Sequence, residues 1–531
     1  MLGRIKLRAD LAPAVAAKTA ASGSRGVERK QHRKQAVSGR QEVKPHGQQK
    51  TEKTSAPQGT SVNYNFDLPP DLRNRLERWG PEMKACIDGV RAEWMKGVVS
   101  GSQGVLTTRD TPVRVGTDCS GAEAPVWALR AMMIPLFHAF SCDWAPHVQK
   151  FIKAVCPPQG PIYQDMLKRQ ESDVPDVDLY VCGFPCTPYS HLRRHRTRLM
   201  AEPAAKPFFA VLRLIKAKRP ATFVLENVLG LRKVMDRIVA DLKRVPGYYV
   251  FIFAVDPKEF GEPISRPRIY ILGVRQDKAV CQESGRLGEF IASCIQRVSK
   301  PVVGDATAIM LPNSHPEVLK VVATNKPNIR AKARAKAVTK EPQWKKKHAA
   351  FAAASKVRAS GVAMPLPSER SRDAWRLLQA RHSGKDLVAD VSQSVERAAV
   401  RTDGCLPTVT PKGTCCVAKL GRSLTGAEKL LVHGFPLHKM VIPRGVTQTD
   451  LGNMGGNTMH LKSVGFVMAV GLGLMASGRQ GVASEAKTEV AFIGMADPRP
   501  KVKKRPRSLP RRRPARKVAK SVVAKRARGS R

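Results

Sequence analysis

The 531-residue chain is short of acidic side chains: 43 Asp and Glu stand against 92 Lys and Arg, for a net charge of +49 and an isoelectric point near 10.4. Solubility alone does not call for an imbalance this one-sided. It points to a polyanionic partner, with nucleic acid ahead of an anionic membrane surface. Long apolar runs are also missing; nothing approaches the roughly 18 residues of a membrane span, so no membrane partner is expected. The opening "MLGRIKLRADLAPAVAAKTAA" has no signal-peptide core and passes only weakly as a transit peptide. No C-x-x-C pair occurs among the eleven scattered cysteines. That excludes a zinc finger and a disulfide framework, implies a reducing compartment, and leaves no metal site to expect. No solenoid-type repeat is visible.

What is present is a hydrophobic fraction of 42%, enough for a real core, on a length that allows two or three domains. Residues 1–60 hold 13 Lys/Arg and 4 Asp/Glu; residues 499–531 hold 16 Lys/Arg and no acid. Both ends read as disordered basic tails. They are expected to touch the phosphates of DNA or another nucleic acid, and the C-terminal tail also reads as a nuclear-localisation signal. The 438 residues between them still carry +24, so the body is basic too.

From Leu68 to Val98 the apolar residues recur with a helical period. Beyond that, strand-like and helix-like segments alternate. "VRVGTDCSG", "HAFSCDW", "LYVCGFP", "ATFVLENV", "GYYVFIFAV" and "PRIYILGV" read as strands, and "APVWALRAMMI" and "PFFAVLRLIKAKRP" as helices. The fold class expected is α/β: a mostly parallel, Rossmann-like sheet covered on both faces, with ligands at the C-terminal strand ends. Between about 281 and 420 the alternation fades and Lys, Ala and Pro accumulate, as in a smaller, irregular, basic domain. Order returns with "LTGAEKLLVHGFP" and with "GNMGGNTMHLKSVGFVMAVGLGL", a helical stretch too apolar to stand alone.

Cys186 sits in "LYVCGFPCTPYS", directly after a buried run. Most free cysteines are small buried hydrophobes. Glu226, ending "LENV", and Arg266 and Arg268, in "ISRPRIYILG", change that reading. A thiol, a carboxyl group and guanidinium groups at one sheet edge make a candidate covalent site.

These segments resemble, in order, the motifs of cytosine-5 DNA methyltransferases. "GFPCTPYS" is similar to the family's nucleophile loop, "ENV" to its acid motif, and "SRPRIYILG" to its paired-arginine segment. "TDCSGAEAP" resembles the cofactor loop, "SCDWAP" the acidic and aromatic residues after the second strand, and "GNTMHLKSVG" the closing motif. The resemblance spans about 111–478. It implies transfer of a methyl group from S-adenosylmethionine to carbon 5 of cytosine in DNA, with Cys186 as nucleophile and Glu226 holding the base. Arg268, with Arg266 close by, would bind the carbonyl oxygen at position 2. It further implies cofactor contacts from Cys119, Ser120, Gly121, Asp143, Trp144, Asp165, Gly183, Asn457 and Thr458. Three positions depart from the family pattern: Glu123 replaces a loop glycine, and Thr187 and Ile264 replace glutamines.

The division that follows is a basic tail (1–60), a helical N-terminal segment (61–110), the methyltransferase core (111–280) and a target-recognition region (281–450). A helix completing the core (451–480) and a second basic tail (481–531) end the chain. A nuclear location goes with this reading. Two alternatives share the fold: a tRNA cytosine-5 methyltransferase, and an inactive DNA-binding scaffold.

Overall fold

The computed structural model describes residues 64–98, 111–190, 200, 203–325, 342–359, 364–476 and 486–494. The charge-rich ends, 1–60 and 499–531, lie outside the described residues.

A short strand, β1 (Tyr64–Asn65), precedes α1 (Pro70–Val98), which buries Leu72, Leu76, Trp79, Met83, Ile87 and Val90 at three- and four-residue spacing. The alternating region follows as β2 (Val113–Asp118), α2 (Ala124–Ala131), β3 (Leu136–Cys142), α3 (Pro146–Val155), β4 (Ile162–Tyr163) and β5 (Leu179–Cys182). It continues with α4 (Lys206–Lys218), β6 (Thr222–Val228), α5 (Met235–Leu242), β7 (Tyr248–Val255) and β8 (Arg268–Arg275). Next come α6 (Ser284–Val298), α7 (Pro316–Asn325), α8 (Gln343–Ser355), α9 (Glu369–Arg381), β9 (Val388–Asp390), β10 (Ala399–Arg401), β11 (Cys415–Val417) and β12 (Arg422–Ser423). The last elements are α10 (Gly426–Leu431), β13 (Val441–Ile442), α11 (Gln448–Asn457), α12 (Leu461–Gly473) and β14 (Glu489–Phe492).

Eight strands form one sheet in the order β14-β7-β8-β6-β5-β2-β3-β4. Every neighbouring pair is parallel except those of β8, which runs antiparallel to β6 and β7. Both faces are buried, so the strands read as apolar runs whose residues alternate between two cores. In β5, Leu179 and Val181 join the layer under α1, α2, α3, α6 and α12, while Tyr180 and Cys182 join the layer under α4 and α5. This is the doubly wound α/β arrangement expected. The apolar α12 packs against α1, α2, β6 and β8, which explains a sequence too hydrophobic for a surface helix.

Three expected boundaries move. Helix α6, expected in the region after 281, packs into the main core: it buries Leu287, Phe290, Ile291 and Cys294 against the main sheet and packs on α1. From α10 to α11 the chain again packs into this main core through Leu430, Leu431, Phe435, Leu451 and Met454. The stretch assigned wholly to the second basic tail contains β14, which pairs with β7 through Glu489 to Phe492. Four residues are too few for an alternation pattern to stand out beside a charge-dominated tail. The N-terminal helix is tied in as well, since Glu262 receives Arg75 of α1 at 3.1 Å and Lys462 of α12.

The basic stretch between about 281 and 420 is less irregular than its composition suggests. A four-stranded antiparallel sheet, β10-β9-β11-β12, packs with α8 and α9 around Phe351, Leu366, Trp375, Leu378 and Cys416. Among the described residues no helix is long and apolar enough to cross a membrane.

Candidate active site

The chain lays down β2, moves outward to β3 and β4, then returns to the other side of β2 as β5. Such a reversal opens a crevice at the C-terminal ends of the strands. The loops after β2, β3 and β5 meet there, and β6 brings Glu226 to the same edge. Because β8 is antiparallel, its first residue, Arg268, lies at that edge too, opposite Val228. The reversal therefore gathers the candidate residues on one rim.

Cys186 is exposed; the other ten cysteines are partly or fully buried. Its carbonyl accepts the Tyr189 and Ser190 amides, both at 2.9 Å, so the thiol sits at the head of a tight turn. The surroundings are still crowded enough that desolvation, followed by the Glu226 charge, raises the thiol pKa above its ordinary value. Arg268 and then Arg266 pull it down. Glu226 and Arg268 pair at 2.9 Å. Gly183 is glycine because of close approach: a Cβ there would lie 2.7 Å from Met459 Cε and 3.5 Å from Glu226 Oε2.

Arg266 is placed otherwise than expected. Its guanidinium is buried and donates to the carbonyls of Val409 (2.9 Å), Gly456 (3.1 Å) and Thr458 (2.6 Å). Burial lowers its pKa to about 9, which leaves it charged at neutral pH. Instead of facing the crevice beside Arg268, it clamps the loop between β10 and β11 to the α11–α12 junction. Lys429, donating to the Thr410 and Pro411 carbonyls, secures the same loop. Ile264 is buried beside Leu406, in a cluster with Val388, Cys415 and Val417 of the small sheet. Thr187 is exposed next to the thiol.

On the other half of the rim, Asp143 accepts the Gly121 amide at 3.0 Å through one oxygen and the Ala145 amide at 3.0 Å through the other. Trp144 beside it is 79% exposed, far from the core placement usual for tryptophan. Gly121 takes a positive φ of 55°, and a Cβ there would meet nothing within 4 Å, so the loop crest faces open space. Asp165 caps its own turn by accepting the Leu167 amide at 2.9 Å. Asn457 is exposed at the end of α11, and Thr458 keeps a buried hydroxyl with no partner among the described residues. Two candidates face away from the crevice. Ser120 turns inward to Thr117 Oγ1 (2.7 Å) and to the Cys142 backbone, and the Cys119 thiol packs on Met166. A projecting aromatic ring, a carboxylate and an open loop at a strand reversal fit S-adenosylmethionine.

Sequence reasoning passed over Asn227. Its side-chain amide donates to the Phe184 carbonyl at 2.9 Å and so ties the acid strand to the thiol loop. The signal was its place inside "ENV". Met459, against Gly183, carried no comparable signal.

The sequence model of the C-5 cytosine-specific DNA methylase family matches residues 119–460. A DNA (cytosine-5-)-methyltransferase DMT5 of Cryptococcus neoformans var. grubii is 26% identical over 470 residues, covering 77% of this chain and 19% of that protein. The type II methyltransferase M.BsuFI of Bacillus subtilis is 34% identical over 147 residues, or 27% of this chain and 34% of that one. The solved structure of S. pombe Dnmt2 methyltransferase aligns at a TM-score of 0.42 with 16% identity, covering 68% of this chain and 98% of that chain. The chain thus spans about a fifth to a third of the length of these curated relatives. With more than half of its residues inside the family match, the chain belongs to the C-5 cytosine-specific DNA methylases.

Proposed function

We propose that the chain methylates carbon 5 of cytosine in DNA through a covalent Cys186 adduct. The observation that carries this reading is the single exposed thiol beside the Glu226–Arg268 pair, on the rim that also bears Asp143 and Trp144. Carbon 5 of cytosine is a weak nucleophile. The Cys186 thiolate adds to carbon 6, breaking the 5,6 double bond and making carbon 5 electron-rich. Glu226 holds ring nitrogen 3 and the exocyclic amine, and Arg268 the carbonyl oxygen. S-adenosylmethionine, when bound, would supply an electrophilic methyl group that carbon 5 takes, the sulfonium sulfur keeping the bonding pair and leaving as S-adenosylhomocysteine. Loss of the carbon-5 proton to solvent then re-forms the double bond and expels the thiolate. Asp143 would hold the cofactor's ribose and Trp144 its adenine, with Gly183, Asp165, Asn457 and Thr458 around it. The target base must leave the duplex to reach this rim.

Charge supports DNA as the substrate: the body is basic, and each tail adds cations that would raise affinity and make it fall steeply with salt. The recognition sheet with α8 and α9 would choose the site, and the tails support action in the nucleus.

DNA containing 5-fluorocytosine tests the reading, because fluorine cannot leave as a cation and the adduct persists. A denaturation-resistant complex mapping to the Cys186 peptide is expected. Cys186→Ala should abolish it, and Cys182→Ala, whose thiol is buried in the core, should spare it. Adduct on fluorinated tRNA alone would move the substrate to RNA. No adduct on either, from protein that still binds DNA, would leave a scaffold.

A further inference from the structure

Glu123 lies where the family's cofactor loop carries a glycine, and it keeps the backbone of one, with φ 60° and ψ 44°. Its side chain is wholly buried beneath the loop. Thr117 Oγ1 lies 2.9 and 3.1 Å from its two oxygens, and Ser141 Oγ lies 2.6 Å from Oε1, so either hydroxyl can take the proton of the acid. His138 Nε2 lies 3.0 Å from Ser141 Oγ and 3.8 Å from Glu123 Oε1. Ser120 closes the network through Thr117 at 2.7 Å. One carboxyl group thus fastens the loop, its first strand and the neighbouring strand together, just under the amide of Gly121 that Asp143 holds.

We propose that Glu123 is a positioning residue that sets the cofactor loop as an uncharged carboxylic acid, leaving Asp143 as the carboxylate that meets the ligand. The inference rests on the cofactor reading given above. The titratable groups around Glu123 are few: Asp143 beyond β3, His138 on β3, Arg130 on α2 and Cys156 after α3. Burial, with Asp143 adding to it, raises the Glu123 pKa to about 8, against donors that lower it. Burial and Arg130 lower His138 to about 4, so at neutral pH the proton of this pair stays on the glutamate. Ionising Glu123 would set a second carboxylate against Asp143 and work against the loop geometry the network holds, so a ligand that needs the set loop selects the acid. Binding therefore favours the protonated form, and above the ionisation it must take up a proton.

The test is calorimetric binding of S-adenosylhomocysteine to the full chain between about pH 6 and pH 9.5, in buffers of different ionisation enthalpy. The native protein should lose affinity about tenfold per pH unit above the ionisation and take up one proton there. Glu123→Gln, which keeps the shape and cannot ionise, should bind as tightly at neutral pH, with a flat profile and no uptake. Infrared difference spectra should show a protonated carboxyl band that Glu123→Gln removes. Identical pH profiles for the two proteins, or native affinity in Glu123→Gly, would overturn the assignment while leaving the cofactor reading intact. Failure of both proteins to bind at any pH would overturn the cofactor reading and this inference with it.

Discussion

Arg268 Nε lies 2.9 Å from Glu226 Oε1, and each side chain is 12% exposed. The register opposes Glu226 to Tyr270 and Val228 to Arg268, so the pair reaches diagonally across two antiparallel strands. Removing one partner strands the other charge at low exposure, where breaking such a pair costs about 3–5 kcal/mol. Isosteric changes are therefore the informative ones. Glu226→Gln should lower methyl transfer about 10²–10⁴-fold while leaving DNA retention in a gel-shift assay within a few-fold of native. Equal losses of binding and turnover would assign Glu226 to docking.

The thiol should report the same pair. Desolvation and Glu226 hold the Cys186 pKa above its ordinary value, and Arg268 opposes them, so thiolate is scarce at neutral pH. Iodoacetamide labelling of Cys186, followed by mass spectrometry, should rise with pH beyond the ordinary thiol range. At a fixed mildly alkaline pH, Glu226→Gln should label faster than native protein and Arg268→Gln slower. The opposite order would contradict the electrostatic assignment.

Arg266 should act through the architecture. Charged hydrogen bonds contribute about 1.5–3 kcal/mol each, and this guanidinium makes three to buried carbonyls. Arg266→Lys, able to satisfy fewer of them, should cost at least about 2 kcal/mol in urea unfolding. A native midpoint for the variant would remove the clamp from the account.

Stability should peak near mildly acidic pH. His138 is lowered to about 4 and His460 to about 3, chiefly by desolvation, so their neutral forms stabilise the fold above the unfolded histidine value of roughly 6.5. That contribution falls away on acidification, by up to about 1.4 kcal/mol per group per pH unit. Glu123 has the opposite sign: raised to about 8, its contribution is complete below the unfolded carboxyl value of 4.5 and lost as pH climbs through that window. Below roughly 6.5 the histidine slope, to which buried His433 adds, outweighs that of Glu123, and above it the Glu123 slope is left. Urea midpoints across pH should trace this dome. Glu123→Gln should flatten the alkaline limb and His460→Gln soften the acidic one.

Trp144→Ala should weaken S-adenosylhomocysteine binding by about 1–3 kcal/mol, the range for a base stacked on an aromatic ring. The melting temperature should barely change, because the ring is 79% exposed and leaves no cavity. A large stability loss with unchanged binding would return Trp144 to packing.

Charge and the order of short motifs belong to the sequence itself. Cys186, Glu226, Arg268, Asp143 and Trp144 each sit at or beside the end of a strand-like run, and strand ends are local features. The parallel sheet was legible for the same reason: its buried strands are apolar runs with helical segments between them. What those local features could not contain is direction. Arg266 and Arg268 are two residues apart, yet one pairs with Glu226 and the other disappears into carbonyls supplied by residues 409, 456 and 458. Ser120 and Glu123 flank an open glycine but turn beneath the loop, because Thr117, Ser141 and Cys142 offer partners there. β14 and α6 joined the core because an edge strand and an apolar face were available to cover. Side-chain direction and depth depend on which distant segments arrive alongside, and only tertiary packing decides that.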